Sequence, residues 1–414
     1  MRILLLAGEE SGLLYAERIR IAILGMCPSA EFRGYADYGF RTEDLAVIGI
    51  FPILLRLFYF LRVKRTMERA IDDWRPDVVC SVDYPGMNLR LTAYAKARGV
   101  RTVHVVCPQV WAWKKGRIPK IEASVDELCC FFPFEPALFK PGFASFVGHP
   151  LVEEMRKEAG ESTAGGSDRQ PSNAAGVKRL AILPGSRMGE IERHLPILLR
   201  VVATLQEEFP DLQVTIPAAS PRAYDKIVAL MSAARAGDRR LATARDGNRP
   251  DDPAVALVRG HARDALRTAD AAVVASGTAT LEAALAGCPT VLVYRVSWLF
   301  AAILRRLIKD IRHIGLANVI AEKAGTPCPM PELLQEDFTD ENVLSQVRPW
   351  LADSAANAAA RRALNETMEL LRSDGGAIDR IARRVVGEKS ERDPEPAGVA
   401  GADRPFSAER MQTR

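Results

Sequence analysis

Short apolar runs alternate with amphipathic stretches along most of this chain. In the first half, runs at 3–6, 77–82, 102–106 and 127–132 read as strands, and helical periodicity occupies 11–24, 54–74, 89–98 and 118–123. The second half repeats the rhythm. Its strands fall at 180–183, 213–216, 254–258, 271–275 and 290–293, and its helices at 190–209, 223–236, 262–268 and from 280 onward. Strand runs rich in Val, Leu and Ile without polar alternation are buried on both faces, so the pattern predicts an α/β fold of parallel sheets covered by helices on both sides. Ligands then gather at the carboxyl ends of the strands. A helical stretch from 342 to 386, broken at Gly375 and Gly376, closes the fold.

Two segments fall outside this rhythm. Residues 156–178 lack bulky apolar side chains and are rich in Gly, Ser and Ala, which marks a flexible linker or insertion; the polar, Pro-containing tail 388–414 reads as disordered. At ~100–200 residues per domain, the 414 residues divide into an N-terminal domain (1–155), the linker, a C-terminal domain (179–345), closing helices (346–387) and the tail.

Composition narrows the function classes. With 48% hydrophobic and 26% charged residues the chain reads as a soluble globular protein, and a net charge of +4 is too small to call for a nucleic-acid partner. Seven cysteines, an odd number with no CxxC pair, read as reduced thiols of a cytoplasmic core. The first six residues are too short for a signal-peptide core and read as the first strand. The stretch 47–63 is the most apolar, but Pro52, Arg56 and Arg62 interrupt it, and a crossing helix needs ~20 apolar residues. Two readings remain for it: a helix packed in the core, or an interfacial helix with Lys64 and Arg65 on an anionic membrane surface.

Candidate chemistry concentrates in two loops. Pro184-Gly185-Ser186-Arg187 and Ser276-Gly277-Thr278-Ala279-Thr280-Leu281-Glu282 each follow an apolar run and precede a helix, the context that turns backbone N–H groups toward a phosphate. Arg187 can fork onto a diphosphate, or be a surface arginine beside a structural turn. The hydroxyls of Ser276, Thr278 and Thr280 favour an anion. Glu282 has no capping-box partner, since the residue three before it is Ala279, and is free for a ribose diol; stabilisation by the helix dipole is the plainer reading. Asp83 ends the strand 77–82, where it serves as a general base or as a cap for the next helix near Asn88. Gly8, Glu9, Ser11 and Gly12 form a similar strand-to-helix turn. His149 can donate to a sugar or phosphate oxygen or be a structural hinge histidine, and Trp111 and Trp113 beside Lys114, Lys115 and Arg117 suit a sugar or phosphorylated lipid or a plain core. No D-x-D, paired histidine or CxxC pattern points to a metal, and no cofactor is expected.

Two similar α/β halves around a cleft, closed by C-terminal helices, follow the GT-B plan of two Rossmann-like domains. The motifs AGEESG (7–12), SVDYPGMN (81–88), CPQVWAWKKGRIPKI (107–121), FFPFE (131–135), FVGHPL (146–151), LPGSRMGEI (183–191), ASGTATLEAAL (275–285), GLANVI (315–320) and PELLQ (331–335) resemble, in chain order, those of the lipid-A-disaccharide synthase family. The resemblance implies an inverting, metal-independent hexosyltransferase on the cytoplasmic face of the inner membrane. Its donor would be UDP-2,3-diacylglucosamine and its acceptor 2,3-diacylglucosamine 1-phosphate. It implies Asp83 as base, Arg187 on the donor diphosphate, Ser276, Thr278, Glu282 and Asn318 in the UDP site with Glu332 and Gln335 close by, and a homodimer that exchanges the helices after 342. Four positions depart from the family: Leu13 for Asp, Tyr15 for Gly, Gly86 for Asp and Met87 for Phe, all in the acceptor half. They leave two alternatives open, a GT-B enzyme with another acceptor and a paralogue that binds UDP-sugar or lipid without transfer.

Overall fold

The computed structural model describes residues 1–45, 56–112, 115–158, 160, 177–237, 255–296, 312–373 and 375–388. The strands of the first half are β1 (Arg2–Ala7), β2 (Glu31–Arg33), β3 (Val78–Val82), β4 (Arg101–Val105), β5 (Glu127–Cys130) and β6 (Ala144–Phe146). They form a parallel sheet in the order β2-β1-β3-β4-β5-β6. The second sheet, also parallel, contains β7 (Arg179–Leu183), β8 (Gln213–Ala218), β9 (Val255–Arg259), β10 (Ala271–Ala275), β11 (Thr290–Tyr294) and β12 (Glu332–Leu334). Its order is β12-β11-β10-β7-β8-β9.

Successive strand residues point to opposite faces, and both faces are covered. Helices α1 (Glu10–Met26), α2 (Thr42–Leu45), α3 (Leu57–Trp74), α4 (Pro85–Lys96), α5 (Ile118–Ser124) and α6 (Pro150–Glu158) belong to the first half. On one face of its sheet Cys80, Val82, Val103 and Val105 meet Ile19 and Ile23 of α1. On the other, Leu4, Leu6 and Val79 meet Met67 and Ile71 of α3 and Leu91 of α4. The second sheet carries α7 (Met188–Glu208), α8 (Pro221–Gly237), α9 (Ala262–Thr268), α10 (Thr278–Leu285) and α11 (Leu316–Ala324), followed by α12 (Asp340–Ala352) and α13 (Ser354–Glu369).

The last helix, α14 (Ala377–Val386), crosses back to the first lobe, where Ile381, Ala382 and Val385 enter the core beside α1. Arg101 donates to the carbonyls of Arg384 and Val385, and Arg384 pairs with Glu127. At the crossing, Ser373 Oγ donates to Val147 O at 2.9 Å. The lobes are thus tied twice, through α6 and through the return of the chain, in the two-lobed GT-B architecture that the alternation predicts.

Differences from the expected elements have local causes. The helix expected from 342 to 386 breaks additionally at Asp353, whose extended backbone (φ −121°, ψ 116°) and side chain, accepting from Ala355 N at 2.8 Å, start a new helix. Helix α4 begins at Pro85, ahead of the expected 89, because proline suits the first helical position. The edge strands β2, β6 and β12 have three residues each, too few to show a period.

Of the apolar stretch 47–63, residues 47–55 lie outside the described residues, as do 161–176 of the linker and 389–414 of the tail. Helix α3 turns Val63, Met67, Ile71 and Trp74 inward and exposes Leu57, Phe58 (86%) and Leu61. Among the described residues no helix is long and apolar enough to cross a membrane.

Candidate active site

The carboxyl ends of β1 and β3 build the first half of the site. Gly8 lies under the ring of Tyr84, and a Cβ there would stand 2.3 Å from Tyr84 Cδ1. Asp83 and Tyr84 both hold left-handed backbone (φ 50° each), a costly conformation for side-chain-bearing residues that tends to mark functional turns. Buried Asn88 over-determines this turn. Its Nδ2 lies within hydrogen-bonding distance of the carbonyls of Leu6, Val82 and Asp83 (3.3, 3.2 and 2.7 Å), and its Oδ1 accepts from Tyr35 Oη at 2.7 Å. Asn88 is therefore a positioning residue beneath the cleft. Asp83 caps no helix, since Tyr84 is the N-cap; its carboxylate takes the Tyr84 N–H, which lowers its pKa, but burial is the larger effect and raises it. Glu9 is also raised, by burial and then by the charge of Asp83. Gly12 packs under Val82 O, and Ser11 lies in the first turn of α1.

Loops after β4 and β5 continue the wall. A cavity of about 230 Å³ is lined by Asp83, Gln109, Arg117, Phe131, Phe132 and Glu135, among others. Fully buried Glu135 accepts from Trp111 Nε1 (3.3 Å) and Phe132 N (3.1 Å). Its carboxyl is nonetheless pushed by burial up to about 8. Cys107, Cys130 and Glu135 bring their potential ligand atoms within 4.8 Å of one another, a grouping that their sequence spacing does not suggest. Trp113 lies outside the described residues.

Protonation of Glu135 has a consequence for stability. With its carboxyl raised from 4.5 to about 8, the folded chain keeps a proton that the unfolded chain releases, so its contribution is complete at low pH and is lost as pH rises through about 8. Urea denaturation in neutral and mildly alkaline buffer is expected to show wild-type stability falling with pH and a flatter dependence for Glu135→Gln. Parallel curves would contradict the assignment.

His149 stands at the entry to α6 against Phe131 and Phe132, with ring centroids 5.1 and 5.7 Å away. Burial lowers its pKa to about 4. Its Nδ1 accepts from Leu151 N at 3.2 Å, so the neutral ring carries its proton on Nε2 and keeps a donor.

The second half of the site forms at the ends of the paired strands β7 and β10, which bring the two loops side by side. Gly185 has φ 123°, and a Cβ there would meet Glu190 at 2.7–2.8 Å. Ser186 is exposed. The Arg187 side chain is 70% exposed, with Nη1 2.9 Å from Glu190 Oε1. His194, two turns along α7, is buried; its Nδ1 donates to Pro184 O (2.8 Å) and its Nε2 accepts from Arg295 N (3.0 Å). This fixes the Pro184 loop against the end of β11.

Gly277 is the N-cap of α10, and the first N–H groups of a helix have no partner within it. Ser276 is partly exposed and Thr278 exposed. Thr280 departs from the expectation that all three hydroxyls face an anion: it is buried, and its Oγ1 donates to Gly277 O at 2.7 Å, the back-bonding typical of a first helical turn. Glu282 is less free than its lack of a capping box suggests, because Arg263 Nε donates to its Oε1 at 2.9 Å.

Asn318 and Glu332 are tied to each other. Asn318 Nδ2 donates to Glu332 Oε1 (2.8 Å), and Glu332 accepts from Ile314 N and Gly315 N (3.0 Å each) at the start of α11. Gln335 (φ 52°) gives its carbonyl to Arg295 Nη2 at 2.9 Å. These three residues frame the edge of the second sheet.

A chain of ion pairs joins the halves. Arg18 of α1 meets Glu154 of α6 (3.1 Å); Arg263 meets Glu154 (3.5 Å), Glu158 (2.7 Å) and Glu282 (2.9 Å). Tyr15, edge-on to Phe131, has its hydroxyl pKa raised by burial and then by Glu154, with Arg18 and Arg263 opposing and Asp83 adding to the rise. One phenol thus senses both Asp83 and Arg263, which puts the two edges on one interlobe seam. Arg263 had no sequence signal, since its partners lie far from it along the chain. His194 had a faint one, seven residues after Arg187 on one helix face.

The profile of the lipid-A-disaccharide synthetase family matches residues 3–377. The chain belongs to this family. A lipid-A-disaccharide synthase from Chromohalobacter salexigens is 35% identical over 403 residues, covering 93% of this chain and 96% of the relative. Another from Neisseria meningitidis serogroup B is 34% identical over 395 residues, covering 92% and 96%. Among solved structures, a UDP-GlcNAc 2-epimerase from Neisseria meningitidis bound to UDP-GlcNAc aligns with a TM-score of 0.56 at 10% identity, over 93% of this chain and all of the other (100%). A spinosyn rhamnosyltransferase complexed with thymidine diphosphate aligns at 0.50 and 16% identity, over 93% and 100%. These two likenesses show the GT-B fold. Of the four departures from the family motifs, Met87 is core, Leu13 and Gly86 are exposed, and Tyr15 fills the seam.

Proposed function

We propose that this family member transfers 2,3-diacylglucosamine from its UDP derivative to 2,3-diacylglucosamine 1-phosphate, with inversion and without a metal, releasing UDP. The observation that carries the reading is Asp83: a half-buried carboxylate on a strained turn at a strand's carboxyl end, sensed by the same phenol as the donor lobe's Arg263. Asp83 draws the proton from the acceptor hydroxyl as that oxygen attacks the anomeric carbon. Charge developing on the departing diphosphate is met by Arg187, turning from Glu190, and by the N–H groups at the starts of α7 and α10. Glu282, Asn318, Glu332 and Gln335 border the nucleotide, with Glu9, Asn88 and His149 supporting the acceptor side.

The exposed Leu57, Phe58 and Leu61, followed by Arg62, Lys64 and Arg65, support peripheral attachment to an anionic cytoplasmic membrane face. A homodimer would use the helices after 342. Product separation on thin layers tests the reading: purified protein with both acylated glucosamines yields a disaccharide, whereas free sugar or unchanged substrates would count against it.

Arg187→Ala is expected to lower kcat/KM for the donor roughly 10–150-fold, the scale of a lost charge-assisted hydrogen bond. Steady-state kinetics with donor varied checks this; an unchanged ratio would remove Arg187 from the diphosphate site.

A further inference from the structure

We infer that Arg117 anchors the phosphate of the acceptor in the cavity that also holds Asp83. This rests on the transferase reading above and adds a residue that decides which acceptor is used. The cavity, about 230 Å³, has three ionisable carboxylate or guanidinium groups on its wall: Asp83, Glu135 and Arg117. Glu135 is buried and its carboxyl oxygens are already taken by Trp111 Nε1 and Phe132 N, so Asp83 and Arg117 are the two groups that the wall leaves for a ligand. Arginines elsewhere along the cleft are committed: Arg187 to Glu190, Arg18 to Glu154, and Arg263 to three carboxylates. Arg117 makes no ion pair among the described residues.

Its position is also fixed. Arg117 ends the short turn Lys115–Arg117 and directly precedes α5, where Pro119 stiffens the backbone. A half-buried guanidinium presents a planar fork that matches a phosphate, and the attraction is stronger than in bulk water because the surrounding wall is apolar, with Phe131 and Phe132 contributing to it. A membrane headgroup offers the same chemistry as a glycosyl phosphate. The acceptor is favoured because a phosphate sharing a cavity with the base belongs to the molecule whose hydroxyl is deprotonated there.

The test compares transfer to 2,3-diacylglucosamine 1-phosphate and to the same sugar without phosphate, at saturating donor in neutral detergent micelles. Wild-type protein is expected to favour the phosphorylated acceptor by roughly 10–100-fold in kcat/KM, the scale of one charge-assisted contact. Arg117→Gln should erase most of that preference by raising KM for the phosphorylated acceptor alone, and Arg117→Lys should restore part of it. Equal loss on both acceptors, or an intact preference, would overturn the proposal. So would a defect in Arg117→Gln seen only when anionic lipid is added, which would assign the residue to a headgroup. Tryptophan fluorescence titration with each acceptor reads the same preference without turnover. Phosphate-dependent binding lost in Arg117→Gln supports the anchor even where no disaccharide forms, an outcome that would count against the transferase reading alone; binding indifferent to the phosphate overturns the anchor.

Discussion

Asp83→Asn is expected to lower the turnover of disaccharide formation by roughly 10²–10⁴, the usual scale for losing a positioned base, with UDP affinity unchanged. Asparagine keeps the size of the side chain and can hold the left-handed backbone, so the turn survives while the proton acceptor is lost. The pH profile supplies a second reading. Burial holds the Asp83 carboxyl above the ordinary carboxylate range, and the base works only when ionised, so kcat/KM should rise with pH through that elevated value. Steady-state kinetics with UDP titration checks both parts. Full activity in the asparagine variant would remove Asp83 from the chemistry, and a parallel loss of UDP binding would show that the substitution had damaged the fold.

The second large effect belongs to Asn88. Its side chain is fully buried and ties the ends of β1 and β3 to the Asp83 turn, while Tyr35 donates to its oxygen. Asn88→Ala leaves the Tyr35 hydroxyl and these carbonyls without their partner, a loss of about 2–4 kcal/mol where each buried unsatisfied group costs about 1–3 kcal/mol. Turnover should fall as well, because nothing then holds two consecutive side-chain-bearing residues at positive φ. Urea denaturation followed by circular dichroism measures the first effect. A change under about 0.5 kcal/mol, the scale of an ordinary surface substitution, would contradict the role given to Asn88.

Most central strands were legible as short apolar runs, and β3 and β10 are buried at every position. The edge strands β2, β6 and β12 were not, since three-residue strands carry no period, whereas the five-residue edge strand β9 was. The loops after β7 and β10 were visible from their strand–loop–helix context, but the inward turn of Thr280 depends on first-turn hydrogen bonding that the residue type alone does not decide. Asn318 and Glu332 came to attention through family resemblance, and their mutual hydrogen bond is formed across fourteen residues by the packing of α11 against β12. Arg263 and the Cys107, Cys130 and Glu135 grouping were invisible for one physical reason: their meaning lies in partners brought from elsewhere along the chain by the fold. Arg117 was visible only as one of several cations near two tryptophans, and the cavity it shares with Asp83 singles it out.

The most direct test of the transferase reading is the ratio of UDP released to disaccharide formed when purified protein acts on UDP-2,3-diacylglucosamine and 2,3-diacylglucosamine 1-phosphate. One UDP for each disaccharide is the predicted result. UDP released with free diacylglucosamine and no disaccharide, or UDP bound with no product at all, would contradict it.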